Sequence, residues 1–400
     1  MSKICIVGAF DRYNYGDILF PIVIEKYIKD NLKEELNDFT IEFYALKDTD
    51  LTSIKGVKTK SIKYLKNDVK DGNNIIIIAG GDVLPVRIFY AYSDLIENKL
   101  INTLMSQSIR IFGTGIYDKF LINYYDLSSK FPWIIKNDDN NIKNHVYYNA
   151  VGASSIYKLP QKDLNVMKGL LEKSDYISVR DLKSEANLNN IGIKPLVYPD
   201  SAIIMSELFS DEFLLDNTTQ EVKNYISKNS GYVCLQMNMY SLKGNEDRVV
   251  SEVEKLIKET NLKLVLLPIG KANNHNDLDA LRIIKSKLGI DAYLPEDLNI
   301  YDVMYLIAKS NLFIGTSLHG NITAISFGVP HLGLNKNIEK LDYFLKCWDI
   351  EEIDGCINVD EINKAVQKII KIDRKKLLIK RDELIRLANE NFQNMFSIQG

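Results

Sequence analysis

Five consecutive apolar residues, Ile75 to Ala79, run straight into Gly80-Gly81-Asp82, and this stretch limits the possible folds more than any other. A run too short for a helix and apolar on every side reads as a strand buried on both faces. Such strands belong to parallel sheets covered by helices above and below. The same grammar recurs. Ile4 to Val7 reads as a strand and Gly8 to Gly16 as a loop, and Asp17 is expected to cap a helix through Ile18, Ile22, Ile24, Tyr27 and Ile28. Further strands are expected at Ile41 to Leu46, Val146 to Gly152 and Tyr176 to Val179, and Arg110 to Phe112 reads as a strand ending in Gly113-Thr114-Gly115. After Pro199 a second block follows. Strands at Tyr232 to Met237, Leu262 to Leu267 and Leu312 to Ile314 alternate with helices at Glu246 to Glu259, Asp277 to Leu288 and Tyr301 to Ala308. Two such blocks predict an α/β protein of two doubly wound, Rossmann-like domains facing a cleft, 1–200 and 201–345, with a helical segment over 346–400. The 400 residues suffice for two cores of ordinary size.

Composition excludes more than it assigns. Lys plus Arg number 50 against 53 Asp plus Glu, so no basic excess points to nucleic acid. Cys5, Cys234, Cys347 and Cys356 lack CxxC spacing, and His275 with Asp277 alone is too little for a metal site, so no metal and no disulfide framework are expected. The loop GAFDRYNYGD has neither a dinucleotide fingerprint nor a phosphate-loop spacing, and no cofactor is expected. The opening MSKICIVGAF lacks the long apolar region of a signal peptide, and no apolar run is long enough to span a bilayer. A cytoplasmic protein is the expectation, with a peripheral place at the inner membrane face if its acceptor is lipid-borne.

Function concentrates at Asn311 to Pro330, NLFIGTSLHGNITAISFGVP. An apolar strand is broken by Gly315-Thr316-Ser317, His319 follows, Gly320 gives room for close backbone approach, and Asn321 is positioned to cap the helix that Gly328-Val329-Pro330 ends. A histidine there sits at a strand-to-helix junction, where open α/β sheets bind ligands and helix amides favour anions. Its plain alternative is a histidine that only closes a turn. The glycine-bearing strand ends at 80–82 and 113–115 are expected to join 317–320 around one cleft. The polar, aromatic segment 119–145 reads as an insertion, either a lid near the cleft or a surface excursion.

An ordered set of motifs gives these pieces a family likeness. Asn14-Tyr15-Gly16-Asp17, the GGD at 80–82, the GTG at 113–115, SVRD at 178–181, DSA at 200–202, and SLHG followed by FGVP resemble the polysaccharide pyruvyl transferase family from Ile4 to about Phe344. The resemblance implies a GT-B-like pair of domains and a transferase that moves a pyruvyl group from phosphoenolpyruvate to a sugar of a cell-surface glycan or its precursor. It makes His319 the family histidine and Ser178 and Arg180 the family's serine and arginine. One departure stands out: ketal formers resemble S-R-L-H-G, whereas this chain has Ser317 at the arginine's place. Arginine grips a carboxylate or phosphate bidentately and serine offers one hydroxyl, so Arg180 or a lysine would have to take over, or another donor be used.

The residue chemistry fits that implication. A histidine near neutral pKa suits either proton step, and Asp17 or Asp82 can orient sugar hydroxyls or act as base, their plain alternatives being helix capping and turn closure. Arg180, Lys336, Lys340 and the helix amino end after His319 are candidates for the donor's anionic groups. Asn14, Gly16, Gly80, Gly81, Gly113, Gly115 and Gly320 complete the expected binding set. Two further readings stay open: a GT-B-type glycosyltransferase using a nucleotide sugar, and a non-catalytic two-lobed binder of anionic sugars. The partners are then phosphoenolpyruvate or a nucleotide sugar and a sugar acceptor, lipid-linked or nucleotide-linked. Oligomeric state is not legible in the chain.

Overall fold

A computed structural model describes residues 2–36, 38–96, 98–137, 144–229, 231–270 and 276–397. In chain order the elements used below are β1 (Ser2–Val7), α1 (Tyr15–Asn31), β2 (Phe39–Ala45), β3 (Thr49–Asp50), β4 (Lys58–Ser61), β5 (Ile75–Ala79), α2 (Ile88–Ser93), α3 (Lys99–Phe112), α4 (Gly115–Tyr124), β6 (His145–Val151), β7 (Tyr176–Val179), α5 (Leu182–Asn189) and β8 (Leu196–Val197). They continue with β9 (Tyr232–Gln236), β10 (Lys263–Leu266), α6 (Asp277–Lys287), α7 (Ile300–Ala308), β11 (Leu312–Gly315), α8 (Leu318–Ser326), β12 (His331–Gly333), α9 (Glu339–Trp348) and α10 (Arg374–Ser397).

The strands form two sheets, ordered β3-β4-β2-β1-β5-β6-β7-β8 and β10-β9-β11-β12. Every pairing is parallel except β3 with β4. β5 is buried at all five positions, as its apolar run requires, and joins β1 and β6. In the first sheet the strand order reverses between β1 and β5, in the second between β9 and β11. Those switch points open crevices at the carboxyl ends of the strands, and the two crevices face each other.

The two sheets share apolar packing. One buried cluster runs from Ile4 and Ile6 through α1, Ile203, Ile204, α7 and α8 to Phe392 of α10. The terminal helix α10 crosses back to the first sheet: Phe392 stacks on Tyr27 at 4.2 Å, and Asn391 bonds Asn149 at 2.7 Å and Tyr176 at 2.8 Å.

Three expectations are corrected. Residues 99–112, which include Arg110 to Phe112, are helical, not a strand, and Gly113-Thr114 joins α3 to α4, so the GTG follows a helix and is not a strand end. Asn14, not Asp17, caps α1 by accepting from the Gly16 amide. Ser317, not Asn321, caps α8 by accepting from the Gly320 amide, while Asn321 is buried inside the helix and bonds Ser317 O and Gly315 O. Within 119–145, Trp133 is buried and lines the cleft, whereas 138–143 lie outside the described residues, as does His275.

Candidate active site

The crevices meet in a cleft of about 590 Å³ between the sheets. Of the expected site residues, Asn14, Asp17, Gly81, Asp82, Arg180, Ser317, His319 and Lys340 line it. The loop after β1 reaches across to the second sheet, where the Tyr15 amide bonds Ile269 O at 3.2 Å. That contact brings the amino end of α1 beside the amino end of α8.

His319 lies in the first turn of α8. Its Nε2 stands 3.7 Å from Asp200 Oδ2, an ion-pair distance but longer than a hydrogen bond, and that buried nitrogen has no hydrogen-bond partner among the described residues. The other edge of the ring lies over α1, where a Cβ on Gly16 would overlap Nδ1, and Phe20 meets the ring edge-on at 5.2 Å. Gly16 therefore makes room for the imidazole rather than for a ligand.

Asp200 is fully buried and accepts from Arg180 Nη1 at 3.1 Å and from the Ala202 amide. Burial by itself would raise its carboxyl, but His319 and Arg180 overcome that and hold it below the usual carboxylate range. Arg180 is 1% exposed, and a Cβ on Gly81 would sit 3.5 Å from its Nη1, so the guanidinium lies directly under the GGD turn. Its Nε has no hydrogen-bond partner among the described residues.

Lys340, in the first turn of α9, is the cleft's more open cation. Lys340 is exposed, and its side chain lines the cleft. The desolvation it meets there first, and the Arg180 charge second, push its ammonium below the usual lysine range, and Asp17 and Asp82 oppose the shift. Asp17 faces it and makes no side-chain hydrogen bond among the described residues. Asp82 is committed: it accepts from the Ser154 amide at 2.9 Å, Ser154 Oγ at 3.1 Å and Ser155 Oγ at 2.6 Å, tying the end of β5 to the end of β6.

The rest of the expected set lies elsewhere. Gly113 and Gly115 flank the α3–α4 turn and do not line the cleft. Gly80 adopts φ +150° at the end of β5, and Gly320 packs so close to Phe313 that any Cβ would collide with the ring. Ser178 is fully buried; its Oγ accepts from the Ala150 amide and donates to Tyr148 O, closing the bulge where Ala150 takes φ +46°. Lys336 pairs with Glu361 at 2.8 Å on the surface.

Sequence reading passed over a second polar network on the other wall. Gln236 Oε1 accepts from Thr316 Oγ1 and the Ser317 amide, and its Nε2 donates to Asp277 at 2.9 Å. Asp277 also accepts from the amides of Ile269 and Gly270. Burial pushes Asp277 up to about 6 against those hydrogen bonds. The available signal was a polar residue, Gln236, ending the apolar strand β9 beside Gly315 at the end of β11.

Comparison with solved structures shows the fold. UDP-GlcNAc 2-epimerase from Methanocaldococcus jannaschii is similar with a TM-score of 0.54 and 13% identity over 98% of this chain and 100% of that one. S. aureus MnaA, in its co-structure with UDP, gives 0.55 and 15% over 95% and 91%. Anabaena Alr3699/HepE, solved with UDP-glucose, gives 0.50 and 11% over 100% and 97%. These are GT-B proteins, and the present chain has the same build of two Rossmann-like sheets around a cleft. No curated protein matches the chain. Among the described residues no helix is long and apolar enough to cross a membrane. The model of the polysaccharide pyruvyl transferase family matches residues 14–337, from the cap of α1 through His319 to the segment before α9, and the chain therefore belongs to that family and is a transferase.

Proposed function

We propose that the cleft binds phosphoenolpyruvate and transfers its pyruvyl group, as a ketal, to a sugar of a cell-surface glycan or its precursor on the cytoplasmic side. In that reaction the methylene carbon gains a proton, two hydroxyls of one sugar add in turn to the central carbon with loss of their protons, and inorganic phosphate leaves. His319 is the proton carrier, with Asp200 beside Nε2 stabilising the imidazolium. Asp17, whose carboxylate makes no hydrogen bond among the described residues, is the second base and accepts from a sugar hydroxyl.

The donor's anionic groups need cations and N–H donors. Arg180, Lys340 and the amides of Leu318 and His319, which have no partner within α8, supply them. Ser317 cannot replace the family arginine, since its Oγ already caps the helix. Lys340 takes that part, and it is the cation of the cleft without an ion pair among the described residues. One juxtaposition supports this function most: a histidine backed by a buried Arg180-stabilised carboxylate, in the same cleft as an unpaired lysine.

The test is ligand choice. Phosphoenolpyruvate should raise the melting temperature of the purified protein, Lys340→Ala should abolish that shift, and phosphate should be released once a suitable sugar is added. A shift with UDP-glucose and none with phosphoenolpyruvate would overturn this assignment in favour of glycosyl transfer.

A further inference from the structure

Between Asn98 and Tyr125 the chain has a single acidic residue, Asp118, and it is buried against Arg87. The surface of the α3–α4 hairpin is accordingly apolar and basic. Along α4, Ile116, Phe120 and Tyr124 recur every four residues on one face and are 69%, 66% and 54% exposed. Leu104 and Ile101 of α3 are 58% and 46% exposed. Ser108 Oγ and Tyr117 OH, 2.7 Å apart, hold the two helices together.

Cations are interleaved with these side chains. Arg110 and Lys119 are exposed, and Lys63 Nζ lies 4.8 Å from the ring of Tyr64 and 5.5 Å from that of Tyr124. Lys66 pairs with Asp126 and adds no net charge. Large apolar residues exposed together on one face mark a surface that meets something.

We propose that this face docks on a bilayer containing anionic lipids. Apolar and aromatic side chains flanked by lysine and arginine suit the headgroup boundary, where the rings enter the acyl edge and the cations stay among the phosphates. A second copy of the chain suits it less. A two-fold contact would set the face that carries Lys63, Arg110 and Lys119 against the same cationic face, with no exposed acid on the hairpin to pair them. The face is one helix away from the cleft: on α2, Ala91 lines the cleft and Phe89 packs on Tyr117 of α4 at 5.4 Å. Docking would thus bring the cleft beside the membrane surface, where a lipid-borne sugar is held. This inference does not rest on the identity of the donor.

Flotation of the full chain with phosphatidylcholine vesicles, with and without phosphatidylglycerol, tests it. The protein should float with the anionic vesicles, less so as salt is raised. Lys119→Ala should weaken that partition about fivefold. Ile116→Ser combined with Phe120→Ser should weaken it by at least about tenfold at unchanged melting temperature, because both side chains are exposed. Failure of the parent protein to float with either vesicle would overturn the proposal, as would a double variant that floats like the parent. A parent dimer that the double substitution splits, seen by light scattering without vesicle binding, would show instead that a second copy covers the face.

Discussion

His319 and His331 belong to the same half of the molecule, one in the first turn of α8 and the other in β12, and each faces an aspartate. They differ in what they leave unsatisfied. His331 is 1% exposed, with Nδ1 2.9 Å from Val329 O and Nε2 2.7 Å from Asp349 Oδ2. Both neighbours can accept, an arrangement that favours the imidazolium with both protons bound. Burial pulls its pKa down, but the Asp349 charge and hydrogen bond and the Val329 carbonyl overcome that and hold it above the usual value. The pair fastens β12 to the end of α9. His319, in contrast, stands 3.7 Å from its carboxylate without a hydrogen bond and faces a cleft. A saturated pair stabilises a fold, whereas an unsaturated one beside a cavity has protons to exchange.

The sharpest way to break the comparison is to make the same substitution at both sites. His319→Gln should lower turnover by about 10²- to 10⁴-fold with little change in melting temperature. His331→Gln should leave turnover per folded molecule near normal and lower stability, because it leaves Asp349 without its charged partner. Equal losses of turnover in both variants would erase the distinction.

Next in size is the support behind His319. Arg180→Ala leaves Asp200 buried without its guanidinium, and a broken buried pair costs about 3–5 kcal/mol. Urea unfolding should show that loss, and an unchanged midpoint would mean that His319 alone neutralises Asp200. Arg180 is more than a simple anion contact, since burial on Asp200 makes it part of the core.

A pH titration sharpens the comparison further. The folded pKa of His331 is raised above its ordinary 6.5, so its contribution to stability is fully present below about pH 6.5 and is lost as pH rises through the folded value. Denaturation midpoints above pH 6.5 should therefore fall in the parent, and this part of the slope should vanish in His331→Gln. An identical slope in both proteins would remove His331 from the account. The smallest effect belongs to a surface pair. Lys336→Ala should change stability by less than about 0.5 kcal/mol and leave turnover alone, since the exposed contact with Glu361 is one of many weak ones.

Legibility followed the range of the forces involved. β5, β7, β9 and β11 were readable because an apolar run and the glycine or polar residue that ends it lie within a few positions of each other. The GTG at 113–115 misled for the same reason: Arg110 to Phe112 has the local look of a strand end, but the longer helical period from Lys99 prevails. Glycine was the least legible residue. Gly16, Gly80 and Gly320 all read as room for a ligand, yet two of them make room for His319 and Phe313, which no local spacing announces.

By itself the sequence determined the parallel-sheet class, the two blocks of alternating elements and the place of His319 at a strand-to-helix junction, because these depend on the periodicity and breaks of neighbouring residues. Tertiary structure alone decided that Asp200 backs His319, that Arg180 is buried on Asp200, and that Lys340 faces the cleft while Lys336 pairs with Glu361. Those outcomes are set by burial and by charges brought together from distant parts of the chain, and only the folded packing of β7, α8 and α9 fixes the distances on which they depend.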